Sequence, residues 1–98
     1  MNQPILMLLM TVEPELAERV ADVLATSGLA QGWHELAVEH AGGTSPYRNQ
    51  RERVRGRRSR TQFQLLLSAG ELSALAAALD RELGDRAPAR SVLALASV

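Results

Sequence analysis

The sequence has 98 residues, of which 46% are hydrophobic, and this combination predicts one folded domain rather than a disordered chain. The absence of cysteine excludes disulfides, thiolate metal sites and cysteine nucleophiles. The formal net charge is zero, but seven of the eleven arginines lie within residues 48–60 beside a single acid, so this stretch carries +6 and the remainder −6. A partner would therefore meet one strongly basic and one strongly acidic surface.

The first half of the chain predicts a strand, a helix and a second strand. Residues 5–10 form an apolar run of strand length, which is too short to span a membrane, so we expect a cytoplasmic protein. Residues 14–27 show helical spacing between Pro14 and Gly28. Residues 33–40 alternate as the second strand.

The second half repeats this order. Residues 61–67 predict a third strand, and the spacing of Ser68 and Glu71 is typical of a capping box that begins a second helix ending near Gly84. Residues 91–98 alternate as a fourth strand. The order predicts a single α+β domain over residues 1–98 with a ferredoxin-like βαββαβ fold, in which a four-stranded antiparallel sheet carries both helices on one face. Three strands are apolar at both alternating sets of positions, which predicts association through the other face.

Residues 41–60, between the two middle strands, show no sustained helical or strand periodicity and predict a long arginine-rich loop. Guanidinium groups make charge-assisted, often bidentate hydrogen bonds with phosphate and carboxylate groups, so this loop is a candidate site for an anion or an acidic partner. The candidate arginines are Arg51, Arg53, Arg55, Arg57, Arg58 and Arg60.

Other kinds of site have less support in the sequence. Nucleic acid is disfavoured because Tyr47 is the only aromatic residue near the basic loop. His34 and His40 are candidate metal ligands, with Glu39 as a third, but about 20 Å of strand separates the two histidines, so a metal site needs a second subunit or loop groups. No grouping of catalytic residue types can be assembled, and we expect a binding protein rather than an enzyme.

A family resemblance lies in five parts of the chain: residues 38–40, Gly42, Gly43, residues 53–58 and residues 62–64. In these residues the chain resembles the PII-like superfamily of trimeric ferredoxin-like regulators, and it looks most like a short uncharacterised PII-like family associated with heavy-metal efflux systems. The resemblance implies a homotrimeric signalling protein whose long loop docks on a membrane transporter or another partner.

The same resemblance implies a ligand at the loop, because Gly42, Gly43 and the pair Arg55 and Gly56 fall where PII proteins open and close their nucleotide-touching loop. PII proteins also have a phosphate loop with glycine and lysine, whereas residues 84–90 contain one glycine and no lysine. The ligand is therefore left open among a small anion, a divalent metal and an adenine nucleotide. Two alternatives remain: a metal-binding protein similar to CutA, and a ferredoxin-like structural or nucleic-acid module.

Overall fold

The computed structural model describes residues 4–29, 31–44 and 46–95. The elements in chain order are β1 (Leu6–Val12), α1 (Pro14–Thr26), β2 (His34–Ala41), α2 (Gln50–Arg55), β3 (Arg57–Leu67), α3 (Ala69–Leu83), a 3-10 turn (Gly84–Arg86) and β4 (Arg90–Ala94). The strands form one antiparallel sheet in the order β2-β3-β1-β4. The predicted ferredoxin-like α+β fold is confirmed.

The hydrophobic core lies between one face of the sheet and the two long helices, α1 and α3. In register, Leu8 of β1 lies opposite Leu65 of β3, and Met10 lies opposite Phe63, so these side chains share one face. All four are at most 1% exposed. The remaining buried apolar residues are Val12, Leu16, Val20, Val23, Leu24, Leu67, Leu75, Leu79 and Leu83. We call this side of the sheet the helix face.

The ends of the long helices follow the predicted local signals. Pro14 occupies the first position of α1, where its fixed φ suits a helix and its missing N–H costs no hydrogen bond. At α3, Glu71 N–H donates to Ser68 Oγ at 3.2 Å, and Ser68 N–H donates to Glu71 Oε1 at 2.9 Å. The predicted capping box is therefore confirmed, and it sets the start of α3 directly after β3.

The opposite side of the sheet, which we call the open face, is covered by none of the helices in the described residues. A row of Leu66, Met7 and Leu93 crosses three adjacent strands on this face. Leu66 is 39% exposed and Leu93 is 49% exposed, while Ile5 and Leu95, joined by a backbone hydrogen bond of 3.2 Å, are also exposed. The open face therefore has an apolar area at the Leu66 end of β3 that is left in contact with water in the single chain.

Residues 41–60 differ from the sequence prediction, because regular structure occupies most of this segment. The prediction of irregular structure is wrong at Gln50–Arg55, which form α2, and β3 begins at Arg57 instead of residue 61. A six-residue helix has fewer than two turns, too few to show a period in the sequence. The first four residues of β3 are polar throughout, so they show no apolar alternation, although they pair with residues 38–41.

The fourth strand is also shorter than predicted. It covers Arg90–Ala94, whereas the sequence prediction extended over residues 91–98. The last three of those positions, 96–98, lie outside the described residues.

Candidate functional site

The segment with the highest density of charge, residues 48–60, is hereafter called the basic segment. It contains α2 and the first residues of β3, and defined caps close both ends of the helix. Asn49 Oδ1 accepts the N–H of Glu52 at 2.9 Å, as an N-cap residue does. Gly56 ends α2 with a φ of 68°, a left-handed conformation that glycine adopts without steric cost. The arginines are therefore held on folded backbone.

Glu52, the one acid of the basic segment, is its anchor. Glu52 is 4% exposed. Its carboxylate accepts the N–H of Arg48 on Oε1 and the N–H of Ser59 on Oε2, both at 2.9 Å. The guanidinium of Arg60 lies 3.6 Å from Oε2. The Arg48 hydrogen bond, then that of Ser59, then the nearby arginine charges lower the pKa of Glu52 against the opposing effect of burial. The ionised carboxylate thus joins α2 to β3.

Two further carboxylates tie the basic segment to the body of the domain. The side chain of Arg48 reaches Glu15 in the first turn of α1 at 2.7 Å. On β2, Glu39 pairs with Arg55, and Arg57 Nε lies 3.8 Å from its other oxygen. Both carboxylates are more than a third exposed, so these pairs are weaker and easier to exchange than the contacts of the buried Glu52.

On the open-face side of the same hairpin, Arg58 is buried beneath an aromatic ring. Its guanidinium lies 4.4 Å from the centre of the Tyr47 ring and donates to the carbonyl of Gly42 at 2.7 Å. His40 Nδ1 lies 3.3 Å from Arg58 Nη1. Arg58 is only 3% exposed, so it holds the turn after β2 in place. Gly43 lies beside this cluster, where an added Cβ would be 3.5 Å from the ring of His40.

Two arginines of α2 have no charged partner among the described residues. Arg51 and Arg53 are exposed, and within the described part of the chain neither makes a hydrogen bond or an ion pair. Val54, the next residue of α2 after Arg53, is 76% exposed. α2 therefore presents two cations and an apolar side chain to solvent, which suits contact with an acidic molecule that also has apolar surface.

The candidate metal ligands do not converge within one chain. Among residues 4–29, 31–44 and 46–95, no three His, Cys, Asp or Glu side chains lie close enough together to hold a metal ion. His34 and His40 occupy opposite ends of β2 on the open face, opposite Gln64 and Arg58 of β3. Glu39 points to the other face and is engaged by arginines. A metal site that uses either histidine stays a prediction and needs ligands from a second subunit or from loop groups.

Most of the residues that organise the site were not predicted from the sequence. Of the arginines it proposed, Arg55, Arg57 and Arg60 have carboxylate partners, and Arg51 and Arg53 face solvent. The contributions of the other residues were not anticipated, namely Glu15, Tyr47, Arg48, Asn49 and Glu52. One signal was present, because Asn49 and Glu52 have the spacing of an N-cap residue and the acid three positions later.

Solved structures define the class of fold. A protein from Shewanella baltica described as a DUF3240 family protein superposes with a TM-score of 0.70 at 14% identity, covering 100% of this chain and 96% of its own. CPII from Thiomonas intermedia, a nitrogen regulatory PII-like protein bound to ADP, AMP and bicarbonate, gives 0.69 at 12% identity, with coverages of 94% and 90%. CutA from Synechococcus elongatus in complex with Bis-Tris gives 0.67 at 22% identity, with coverages of 99% and 87%. The chain therefore has the fold of PII-like proteins.

The family is shown by the sequence itself. The profile of the family described as "Protein of unknown function (DUF3240)" matches residues 2–93, and the chain belongs to this family. A comparison with curated protein sequences finds no match. No helix in the described ranges of the chain is both long enough and apolar enough to span a membrane.

Proposed function

We propose that this protein is a homotrimeric PII-like regulator in which residues 42–60 respond to a small ligand and dock on a partner protein. The observation that carries the proposal is the folding of the basic segment onto Glu15, Glu39 and Glu52 of its own chain. An anionic ligand or an acidic partner would compete for the same arginines. Binding would then exchange internal ion pairs for external ones and move the segment between two arrangements.

The effector in this proposal is a small anion or a divalent metal, with an adenine nucleotide as a further possibility. The partner is a membrane transporter, such as an efflux component, that offers acidic groups to the exposed arginines of α2. The protein acts in the cytoplasm and catalyses no reaction. The structurally similar CPII is described as bound to ADP, AMP and bicarbonate, and this supports testing adenine nucleotides and bicarbonate as ligands.

The open face supports the proposed trimer. Its row of Leu66, Met7 and Leu93 has an apolar character that water disfavours, and packing three copies of this face against one another would remove the row from solvent. The same association would bring the ends of β2 from different subunits towards one another, which gives histidines on this strand a route to a shared site.

Two measurements test the proposal together. Light scattering should give a mass of about three times 10.6 kDa over a range of protein concentrations. Thermal unfolding with nucleotides, bicarbonate, phosphate and divalent metals should show a ligand-specific increase in Tm, because a ligand at about 100 times its Kd adds about 2.7 kcal/mol, equivalent to about 4 to 8 °C for a domain of this size.

Hydrogen exchange with and without that ligand locates the response. Amides of the basic segment should change their exchange rates, while amides in the middle of α3 should not, since α3 packs in the core. A mass of one or two copies at every concentration contradicts the trimer. Unchanged exchange in the basic segment with every ligand contradicts the sensing role.

A metal-binding protein similar to CutA is the second candidate, and the position of His40 favours it. His40 lies at the end of β2 on the open face, beside the turn that Arg58 closes. Titration with Zn²⁺ and Cu²⁺ should then show binding that His40→Ala removes and His34→Ala leaves intact. Equal binding by wild type and His40→Ala rules out this residue as a ligand.

A further inference from the structure

A small cavity lies beside α2, within the basic segment. Its volume is about 220 Å³, and its walls are formed by Arg48, Asn49, Arg51, Glu52, Arg55 and Ser59. Pockets for drug-sized ligands have volumes of about 300 to 1,000 Å³. The cavity is therefore suited to a small ion or to one charged group of a larger molecule, and it is too small to enclose a nucleotide.

The cavity is positively charged because three arginines and a single acid, Glu52, form its walls. Both oxygens of Glu52 already accept backbone N–H groups, and the additional charge of Arg60 lies against Oε2. Three arginines, Arg48, Arg51 and Arg55, line the walls. Of these, Arg51 makes no hydrogen bond or ion pair within the described residues, so its donors are available to a ligand.

The other two guanidinium groups have partners that they can exchange. Arg48 pairs with Glu15, whose side chain is 48% exposed, and its Nη1 also lies 3.5 Å from Oε2 of the buried Glu52 in the wall of the cavity. Arg55 pairs with Glu39, whose side chain is 38% exposed. Ion pairs at this level of exposure are weak because water and salt screen them. A ligand with more negative charge than one carboxylate can therefore draw both guanidinium groups towards the cavity.

We propose that this cavity binds a phosphate group, either as inorganic phosphate or as the phosphoryl group of a larger molecule. Guanidinium forks match the geometry of phosphate oxygens, and a phosphate group offers three arginines more charge and more acceptor oxygens than a carboxylate does. The inference rests on the proposed sensing role of the basic segment, and it assigns the ligand class and the residues. Arg51 is the principal contact, because no partner among residues 4–29, 31–44 and 46–95 competes for it.

The test is calorimetric titration of the full-length chain with inorganic phosphate and, separately, with phosphoserine, at constant ionic strength set by chloride. Wild type is compared with Arg51→Gln and with Arg53→Gln. Arg53 is the matched control, because it lies on the same helix and its replacement removes the same charge, but it does not line the cavity. Glutamine is a good helix former, so both variants should keep α2, which circular dichroism checks.

We expect Arg51→Gln to weaken phosphate binding about tenfold or more, as the loss of a charged hydrogen bond does, and Arg53→Gln to change it by less than about twofold. Arg51→Lys, which keeps the charge and loses the fork, should bind with intermediate affinity. Binding of both ligands would show that the cavity accepts a phosphoryl group on a larger molecule, and binding of phosphate alone would identify the free ion.

Two results overturn the inference. Equal weakening by Arg51→Gln and Arg53→Gln would mean that general charge attraction, and not the cavity, holds the anion. Absence of binding by wild type would remove the site altogether. If the same sample keeps a trimeric mass and responds to another ligand, the phosphate site alone fails and the proposed regulatory function stands; a monomeric mass would refute the proposed function instead.

Discussion

Replacing Leu93 on the open face should dissociate the proposed trimer in graded steps. Full burial of a leucine side chain is worth about 1.5 to 3 kcal/mol, and Leu93 is 49% exposed in the single chain, so about 1 kcal/mol per subunit remains to be gained on assembly. Leu93→Ala should remove most of this, about 2 to 3 kcal/mol over three subunits, which weakens association by about one and a half to two orders of magnitude. Leu93→Glu should weaken it further, because it also buries an unpaired charge.

Sedimentation velocity over a dilution series measures this effect. The dissociation of Leu93→Ala should begin at higher protein concentration than that of wild type, and Leu93→Glu should sediment as a monomer throughout. Val54→Glu is the matched control, since it introduces the same charge at an apolar residue that is 76% exposed on α2 and not on the sheet. A trimeric mass for Leu93→Glu, or equal dissociation of Val54→Glu, would refute the assignment of the open face as the interface.

Further predictions concern the basic segment and the core. Glu52→Gln should speed hydrogen exchange at the backbone amides of Arg48 and Ser59, which donate hydrogen bonds to the Glu52 carboxylate. The native pKa of Glu52 is lowered, so its contribution to stability is complete above the ordinary glutamate value of about 4.3 and is lost as the pH falls through the native value. Acid unfolding of Glu52→Gln should therefore lack this pH-dependent loss of stability. Identical acid unfolding of wild type and variant would contradict this. Gly56→Ala should destabilise the fold by about 1 to 2 kcal/mol, because Gly56 has a positive φ. Gly70→Ala, at a normal helical position in α3, should instead stabilise the fold by about 0.5 to 1 kcal/mol. Equal shifts in Tm for the two variants would contradict this. Leu79→Ala should cost about 2 to 5 kcal/mol in urea unfolding because its side chain is fully buried, and a smaller loss would mean that the core closes around the cavity.

The fold could be predicted from the sequence because its signals are local and apolar. The run at residues 5–10 marks β1, and the pair Ser68 and Glu71 marks the start of α3, as the structure confirms. The patterning also indicated that one sheet face would be left without helices. Alternation along a strand is sufficient for this, since neighbouring side chains point to opposite faces.

The site could be predicted only in part, because its contacts depend on distances in space. The density of arginines identified the segment, but nothing local indicated that Arg48 would reach Glu15, which is distant in the chain. The burial of Glu52 was also hidden, since an acid in a basic run is usually a solvated residue. α2 was not predicted because six residues show no period, and the local evidence for it was limited to the spacing of Asn49 and Glu52 and to Gly56 after its last residue.

The pairing of the strands also has a consequence for the order in which the protein folds. The two central strands join residues that are far apart in the chain, with Leu6 opposite Leu67, whereas the β2–β3 hairpin joins nearer residues, with Ala41 opposite Arg57. Closing a shorter loop costs less entropy, and nearer contacts form faster. The contacts of Glu52 with the amides of Arg48 and Ser59 lie within this hairpin. We therefore expect the basic segment to order early, before β1 enters the centre of the sheet.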